Sequence, residues 1–248
     1  MLCLLRVFSH LIESRMSPAL FPSESKRQSI QSMFGAIAGR YDLANHFLSC
    51  GMDFLWRCRA ARLIRAWRPG RILDLATGSG DLALTLRSAC PGALVVGADF
   101  CHPMLQVSRR KGLPDLVAAD ALHLPFAEGV FDVVTVAFGL RNMASRADAL
   151  SETRRVLRPG GHLLVLDFSV PGAPIRWVYR PYLHHVLPRL AALLTGEKAA
   201  YDYLGDSIEQ FPQGAAMCAL LETAGFGDAE HRSLSGGIVA LYTAKRPP

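Results

Sequence analysis

The sequence predicts an α/β fold: a doubly wound, mostly parallel sheet with an antiparallel final strand and a helical cap insertion. Short runs rich in valine and leucine alternate with helical stretches, which is typical of a parallel sheet covered by helices on both faces. Two closely spaced strands close the chain, and such neighbours pair antiparallel. Half of the residues are hydrophobic, so the 248 residues can bury the core of one domain.

The order of the elements follows from the apolar spacing. A helical period predicts helices over residues 29–41 and 53–67, before a turn at Pro69-Gly70. Five apolar runs with three helices between them then build the sheet. The runs are residues 72–76, 94–98, 115–119, 132–138 and 162–168, and the helices are residues 81–90, 103–111 and 146–157.

The last third of the chain departs from this alternation. Residues 174–194 are helical and rich in aromatic and basic side chains, and we interpret residues 174–212 as a cap inserted after the fifth strand. A helix over residues 214–225 follows. Strands over residues 229–234 and 238–244 complete the domain.

The sequence therefore predicts one domain over residues 29–248, in which residues 29–68 form an N-terminal helical lid. We expect residues 1–28 to be a poorly ordered leader or one assigned in error, since Met16 is a second candidate start. The apolar start of the chain is broken by Arg6 and lacks the small-residue cleavage site of a signal peptide.

Charge and cysteine content limit the classes of function. The net charge is +6, yet no run of five basic residues occurs, which argues against a nucleic-acid-binding protein. Positive charge together with apolarity favours weak, reversible contact with an anionic membrane surface. The six cysteines show neither a CxxC pair nor zinc spacing, so we predict reduced thiols and no metal site. No apolar run is long enough to span a membrane, and we expect a cytoplasmic protein, peripheral to the inner face of the membrane.

A glycine-rich turn after the first run predicts a ligand site. Gly78 and Gly80 leave bare backbone there, and ligands of open α/β sheets bind beyond the carboxyl ends of the strands. The second run ends in Asp99, whose carboxylate can accept hydrogen bonds from ribose hydroxyls. Asp120, next to Ala121, can accept one from an adenine amino group, or it caps the next turn.

The turn alone does not decide which ligand binds. With Ala83 as a third small residue it also fits the dinucleotide pattern, so a nicotinamide cofactor is an alternative. Asp74, inside the first run, would oppose a pyrophosphate at the helix start. Its charge suits a cationic ligand, such as the sulfonium and methionine portion of S-adenosylmethionine. Asp81 adds to this charge, or it serves as the helix N-cap.

These pieces belong to a longer pattern, and the chain resembles the methyltransferase family that C-methylates the ring of ubiquinone and menaquinone precursors. The resemblance covers residues 30–244. It rests on the stretches LDLATGSGDLA, ADFCHPML, LPFAEGVFDVVTVAFGLRN, RRVLRPGGHLLVLDFSVP, YDYLGDSIEQFP and LSGGIVALY. FGLRN together with the RVLRPGG-to-DFS stretch is highly specific, because generic methyltransferases lack the combination.

The resemblance implies a class I S-adenosylmethionine-dependent methyltransferase fold, Rossmann-like, with seven strands and an antiparallel last strand. It implies contact with S-adenosylmethionine, and with its product S-adenosylhomocysteine, at Ser79, Asp99 and the Asp120-Ala121 pair. Ala137 occupies a position often held by a serine that contacts the cofactor, so one hydrogen bond is absent there. Asp167 is a charge-preserving change from the family's usual glutamate.

The acceptor implied by the resemblance is a prenylated quinol, whose ring carbon becomes nucleophilic when a neighbouring hydroxyl loses its proton. Arg141 follows the fourth run, and its fixed charge would stabilise the phenolate; a structural ion pair is the alternative. Asn142 could orient a water or a quinol oxygen, or it is a turn residue. Tyr41 belongs to the predicted lid over the cofactor, or it packs with Trp56.

The leading prediction is an enzyme that methylates demethylmenaquinol to menaquinol, with the methoxy-benzoquinol of the ubiquinone pathway, or both acceptors, as the alternative. A nicotinamide-dependent oxidoreductase would instead bind NAD. A cofactor-binding module would bind S-adenosylmethionine without turnover, and a nucleic-acid methyltransferase would bind RNA or DNA in a salt-sensitive way. The oligomeric state is left open, a homodimer included.

Overall fold

The computed structural model of the chain describes residues 51–187 and 198–248, together with Gly35, His46, Ser49 and Arg189; the side chains of residues 198–203 lie outside that description. The predicted leader over residues 1–28 and the predicted helix over residues 29–41 therefore lie outside the described residues, apart from Gly35.

The described residues form seven helices and seven strands, in the alternating order that the sequence predicts. The helices are α1 (Met52–Ala66), α2 (Asp81–Ala89), α3 (His102–Arg110), α4 (Arg146–Val156), α5 (Ile175–Pro181), α6 (Lys198–Gln210) and α7 (Ala215–Thr223). The strands are β1 (Arg71–Leu75), β2 (Leu94–Asp99), β3 (Leu116–Ala118), β4 (Phe131–Ala137), β5 (Leu157–Phe168), β6 (Gly227–Leu234) and β7 (Val239–Lys245). Short 3₁₀ turns cover Leu140–Asn142 and Ser235–Gly237, and a π-helical turn over Tyr182–Val186 continues α5.

All seven strands lie in one sheet with the order β3-β2-β1-β4-β5-β7-β6. Strands β1 to β5 pair in parallel, whereas β7 pairs antiparallel with both β5 and β6. The predicted doubly wound sheet with an antiparallel final strand is thereby confirmed. The strand order reverses between β1 and β4, and ligands of open α/β sheets bind at that position.

Strand β5 begins at Leu157, five residues before the predicted run. Leu157 pairs with Phe131 but His162 pairs with Val133, so the residues between them bulge from the sheet. The bulge stays extended because its backbone pairs with Arg246: the N–H of Gly160 donates to the Arg246 carbonyl, and the N–H of Arg246 donates to the Gly161 carbonyl. The apolar pattern could not reveal this part of the strand, which is held by backbone bonds and polar side chains: Arg158 pairs with Asp132, and the Arg246 guanidinium donates to the Leu157 carbonyl.

The sheet is covered on both faces, which explains why its strands are apolar throughout. In β1, Ile72 packs with Trp56 and Ile64 of α1, whereas the next residue, Leu73, faces the opposite cluster with Leu150 of α4. Each face thus has its own core. Among the described residues, no helix is both long and apolar enough to cross a membrane.

The helical cap packs onto the end of β5. Tyr179 and Leu183 form a small apolar cluster with Ile208 of α6, and Phe168 and Ile238 pack against it. The cap therefore lies at the carboxyl end of the sheet, close to the turn over Ser235–Gly237.

Close packing under the first glycine turn fixes the start of α2. Gly80 is the N-cap residue, with φ of 85°, and a Cβ placed on it would overlap the hydroxyl of Ser108, which is fully buried. Gly78 also has a positive φ, of 55°, but no atom lies within 4 Å of the Cβ it would carry. The two glycines are therefore required for different reasons.

We expect Gly80→Ala to lower the free energy of unfolding by roughly 2–5 kcal/mol, because both backbone strain and overpacking oppose it. Gly78→Ala should lower the free energy of unfolding by about 1–2 kcal/mol, since only the strain of a positive φ opposes it. Urea denaturation of both variants measures the difference. Adding Ser108→Ala to Gly80→Ala should restore part of the loss, because the Ser108 hydroxyl has no hydrogen-bond partner to lose. Equal losses for the two glycine variants would contradict this account.

Candidate functional site

An open pocket lies at the carboxyl ends of β1 to β4, where the strand order reverses. Its empty volume, including the part open to solvent, is about 810 Å³, within the range typical of small-molecule sites. The walls are mostly apolar, with carboxylate and amide groups among them. The lining residues are Leu75, Ala76, Gly78, Asp99, Phe100, Cys101, Met104, Ala119, Asp120, Ala121, Leu122, Ala137, Phe138, Gly139, Asn142, Met143 and Ala144.

The glycine turn presents bare backbone to this pocket. Ala76, Gly78 and Gly80 all have positive φ, so the chain winds tightly from β1 into α2. The N–H of Thr77 donates to the carbonyl of Ala98 and so ties the turn to β2. Gly78 lines the pocket, and the space that its Cβ would take is open. A ligand can therefore approach this backbone directly.

Asp99 holds the turn and lines the pocket. Its two carboxylate oxygens accept the N–H groups of Gly78 and Cys101, each at 2.8 Å. Burial raises the pKa of Asp99, while the N–H donors oppose that rise. An ionised carboxylate has about four acceptor positions, so acceptor capacity is left for a ligand hydroxyl.

Asp120 caps a turn and also lines the pocket, whereas its contact with an adenine amino group stays a prediction. Its Oδ1 accepts the N–H of Leu122 at 3.1 Å, which caps the turn after β3. The same residue lines the pocket next to Ala121. Two carboxylates, from the ends of β2 and β3, thus face one cavity.

Asp74 lies behind the turn and does not line the pocket. It is fully buried, and its two oxygens accept the hydroxyls of Thr77 at 2.7 Å and Thr135 at 2.6 Å. Burial raises the pKa of Asp74 to about 6, against the opposing effect of the two hydroxyls. Its contact with a ligand stays a prediction; in the structure it braces the turn through Thr77.

Ser79, Gly80 and Asp81 also lie outside the pocket wall. Ser79 is buried within the turn, and Gly80 begins α2. The alternative of Asp81 as N-cap is wrong, because Gly80 holds that position without a side-chain cap. The carboxylate of Asp81 instead pairs with Lys111 and with Arg57, 3.3 Å away.

Arg57 extends this pair into a chain of charges that joins α1 to the start of α2. It donates to the buried carboxylate of Asp53 at 2.5 Å, which also receives Ser49 at 2.8 Å and His46 at 2.7 Å. Burial alone would raise the pKa of Asp53, but the Ser49 hydrogen bond and the Arg57 charge lower it overall. The segment before α1 is thus tied to the helix that follows the glycine turn.

Arg141 forms the buried ion pair that the sequence left as an alternative. Its Nη1 donates to Oδ1 of Asp167 and to the carbonyl of Phe138, both at 2.6 Å. The guanidinium carbon lies 5.3 Å from the ring centre of Phe168. Burial raises the pKa of the Asp167 carboxyl, and the charge of Arg141 opposes that rise. Arg141 therefore lies beside the pocket, behind Phe138, and is absent from the residues that line it.

Asn142 and Ala137 do line the pocket. Three buried polar atoms close to them have no hydrogen-bond partner: Nε of Arg141, Oδ1 of Asn142 and Oδ2 of Asp167. Buried polar groups are usually paired, so unpaired donors and acceptors here leave bonding capacity for a bound oxygen or a water. The catalytic roles of Arg141 and Asn142 stay predictions, and the sequence gave Asp167 no role.

Three aromatic rings join the pocket to Arg141. Phe138 lines the pocket with a φ of 57°, and its ring lies 4.7 Å from that of Phe168. Trp56 packs 6.2 Å from both and donates its indole N–H to the hydroxyl of Ser235. The three rings are 30 to 112 residues apart along the chain, so local sequence patterns do not reveal this group. Tyr41, the predicted lid contact, lies outside the described residues, and so does its proposed packing with Trp56.

No group of three His, Cys, Asp or Glu side chains is arranged for a metal ion within the described ranges. Of the eleven site residues predicted from the sequence, six line one pocket. These are Gly78, Asp99, Asp120, Ala121, Ala137 and Asn142.

Comparison with known proteins gives a consistent family assignment. The profile of the ubiE/COQ5 methyltransferase family matches residues 23–246. A demethylmenaquinone methyltransferase of Thermus thermophilus is 50% identical over 87% of this chain and all of its own length. A ubiquinone/menaquinone biosynthesis C-methyltransferase of Syntrophotalea carbinolica is 45% identical, over 88% of this chain and 94% of its own.

Solved structures share the fold at low identity. A methyltransferase of Thermotoga maritima, described as S-adenosylmethionine-dependent, is 17% identical with a TM-score of 0.63, over 87% of this chain and 98% of that one. Human N-acetylserotonin methyltransferase, solved in complex with S-adenosylmethionine, is 20% identical with a TM-score of 0.60, over 92% of this chain and 60% of that one.

The raised pKa of Asp74 predicts that the free energy of unfolding falls as pH rises. An acid whose folded pKa lies near 6 binds more protons when folded, so stability falls as pH rises from about 4 to above 6. We expect wild type to lose on the order of 3 kcal/mol over this range relative to Asp74→Asn, which cannot titrate. Urea denaturation across pH measures the difference, and a pH-independent difference would show that Asp74 titrates normally.

Proposed function

Because the chain belongs to the ubiE/COQ5 methyltransferase family, we propose that it transfers a methyl group from S-adenosylmethionine to a ring carbon of a prenylated quinol. The observation that carries this proposal is the pocket at the ends of β1 to β4, in which bare glycine backbone and two carboxylates face one cavity. The preferred acceptor is demethylmenaquinol, which gives menaquinol.

The pocket fits the methyl donor by shape and by polarity. The open space beside Gly78 lets a ligand reach the turn, as a larger residue there would not. Asp99 would hold the ribose hydroxyls, and Asp120 with Ala121 would hold the adenine. Ala137 would contact the donor through backbone and methyl group only. Bound there, S-adenosylmethionine supplies an electrophilic methyl group.

Ser79, Tyr41, Gly80 and Asp74 remain predicted cofactor contacts, and Gly80 and Asp74 also support the turn. The protein's main contribution is positioning, which can supply on the order of 7–11 kcal/mol of barrier reduction. A fixed turn and fixed carboxylates meet that need.

Arg141 is proposed to favour the ionised quinol. Its charge is shared with Asp167, so the pair is close to neutral overall. The guanidinium therefore stabilises the ionised quinol through its oriented N–H groups and its local electric field. Asp167 fixes the orientation of the guanidinium. Asn142, whose Oδ1 has no partner, would orient a quinol oxygen or a water. The ring of the acceptor would pack near Phe138 and Phe168.

The naphthoquinol acceptor is preferred because the Thermus thermophilus relative carries the name demethylmenaquinone methyltransferase. The Syntrophotalea carbinolica relative is named for both quinone pathways, which supports the methoxy-benzoquinol, or both acceptors, as the second candidate. Cytoplasmic location, peripheral contact with the inner face of the membrane and a homodimer belong to the proposal as well.

The decisive experiment offers a demethylmenaquinol and a methoxy-benzoquinol in parallel, with S-adenosylmethionine and the full chain. Product with added ring methyl, detected by mass spectrometry, is expected from the naphthoquinol. Methylation of the benzoquinol alone would overturn the preferred acceptor, and methylation of neither would overturn the proposed reaction.

Asp99→Asn should weaken S-adenosylhomocysteine binding by roughly 10- to 100-fold. The substitution removes the negative charge and replaces one carboxylate oxygen, an acceptor, with an NH₂ group, a donor that would face a backbone N–H. Isothermal titration measures it. Asp115→Asn, which changes an exposed carboxylate before β3, is the matched control and should bind normally. Tighter binding of NAD than of S-adenosylhomocysteine would favour the oxidoreductase instead.

Arg141→Ala should lower kcat by roughly 10²- to 10³-fold with little change in S-adenosylhomocysteine affinity. This is the effect expected when a hydrogen-bond donor that stabilises charge in the transition state is removed.

Asp167→Asn leaves the guanidinium of Arg141 with its full charge, which should lower the pKa of the quinol, so we expect the pH–rate profile to move to lower pH. A full pH profile of kcat measures both effects. Near-normal turnover of Arg141→Ala, or an unmoved profile for Asp167→Asn, would refute these roles.

A further inference from the structure

Exposed apolar side chains and clustered arginines occur in the same two segments of the chain. Residues 54–73 contain six arginines and residues 168–196 contain three, and neither segment contains an Asp or Glu. Nine arginines exceed the net charge of +6, so the rest of the chain is net negative. Within the described part of the chain, these segments also hold six of the seven large hydrophobic side chains that are exposed. The six are Phe54, Leu55, Ile175, Trp177, Val178 and Val186.

The outer face of α1 combines both features. The helix buries Trp56, Ala60 and Ile64, and at 100° per residue the opposite face carries Phe54, Leu55, Arg59, Arg62 and Arg65. Phe54 and Leu55 are 64% and 60% exposed. The three arginines are exposed and form no ion pair with any residue that the structure describes. The helix thus begins with two exposed apolar side chains, and a row of three exposed arginines follows along the same face.

The start of α5 presents a second apolar group close by. Trp177 and Val178 are 77% and 76% exposed, and Arg176 beside them is exposed as well. Both helices meet at one turn: Trp56 of α1 donates to the hydroxyl of Ser235, and Ile175 of α5 lies against Gly236. The two groups therefore belong to one edge of the molecule.

That edge is the one on which the pocket opens. Trp56, on the inner side of α1, packs against Phe138 and Phe168, and Phe138 lines the pocket. The exposed apolar groups of α1 and α5 therefore flank the aromatic rings proposed to hold the acceptor.

We propose that this surface, formed by the outer face of α1 and the start of α5, docks onto an anionic phospholipid bilayer. Tryptophan and other apolar side chains beside arginines are the combination that binds at the boundary of headgroups and acyl chains. Each arginine near an anionic membrane surface adds to the attraction. The inference rests on the proposed function, since a prenylated acceptor dissolves in the bilayer and must reach the pocket from it.

A second copy of the chain is a poorer occupant for this surface. In a two-fold dimer the same patch meets itself, so the arginine rows of the two copies would face each other without carboxylates between them. Anionic headgroups satisfy those charges and cover the apolar groups at the same time.

The test is co-sedimentation of the full chain with vesicles of phosphatidylcholine alone and of phosphatidylcholine mixed equally with phosphatidylglycerol. Binding to the mixed vesicles is expected, weakened by salt, with little binding to phosphatidylcholine. Arg59→Glu with Arg62→Glu, and separately Trp177→Ser with Val178→Ser, should each lower the partition coefficient by roughly tenfold or more.

Matched controls lie elsewhere on the surface. Arg109→Glu with Arg110→Glu reverses two exposed charges at the end of α3, and Leu94→Ser removes an exposed apolar side chain at the start of β2. Both should bind mixed vesicles like wild type. Methylation of a tail-less naphthoquinol in solution should be the same in all variants, which shows that the site is intact.

Equal loss of vesicle binding in the test and control variants would overturn the proposal, as would absence of binding to mixed vesicles. A dimer that the α1 variants convert to monomers, without vesicle binding in wild type, would assign the surface to a second copy instead. Failure to methylate any quinol would refute the proposed function, whereas vesicle binding is scored independently of it.

Discussion

The hydrogen bond from the Gly78 N–H to the carboxylate of Asp99 connects the turn after β1 with the end of β2, and the pocket takes its shape from that connection. One carboxylate oxygen holds the turn and the other holds Cys101 at the start of α3. Burial makes this charge costly unless its acceptors are used. The backbone donors meet part of that need, and a ligand hydroxyl would meet the rest. The proposed binding and the observed fold therefore depend on the same side chain.

Charged side chains on two sides of the glycine turn stabilise it. Asp74 braces Thr77 from within the sheet, and Arg57 with Lys111 holds Asp81 at the first residue of α2. Such polar pairs contribute little net stability, but a single well-defined arrangement of the turn follows when every partner is present. The contrast with Arg141 is informative, because that residue keeps an unpaired Nε beside the pocket. Three of the four buried polar side-chain atoms without a hydrogen-bond partner among the described residues thus lie where the chemistry is proposed.

The sequence predicted the sheet and much of the pocket because both leave local patterns. Apolar runs marked the strands, and strand-end residues such as Asp99 and Asp120 share one edge by topology. Contacts distant along the chain left no such mark: Asp167 with Arg141, or Trp56 with Phe168. The early start of β5 was also missed, since its bulge is held by the backbone of Arg246. The spacing of residues along the chain locates the carboxyl edge of the sheet, whereas the pairing of side chains at that edge depends on tertiary packing.

Phe138 belongs to both halves of the proposed reaction. Its backbone, strained at a positive φ, forms part of the donor pocket, its carbonyl accepts Arg141, and its ring packs on Phe168. In the proposed reaction, recognition of the donor and recognition of the acceptor therefore share this residue. Substitution of Phe138 would alter both contacts at once. Relatives that accept a larger or smaller ring should therefore differ first at the neighbouring aromatic residues and only later at Phe138.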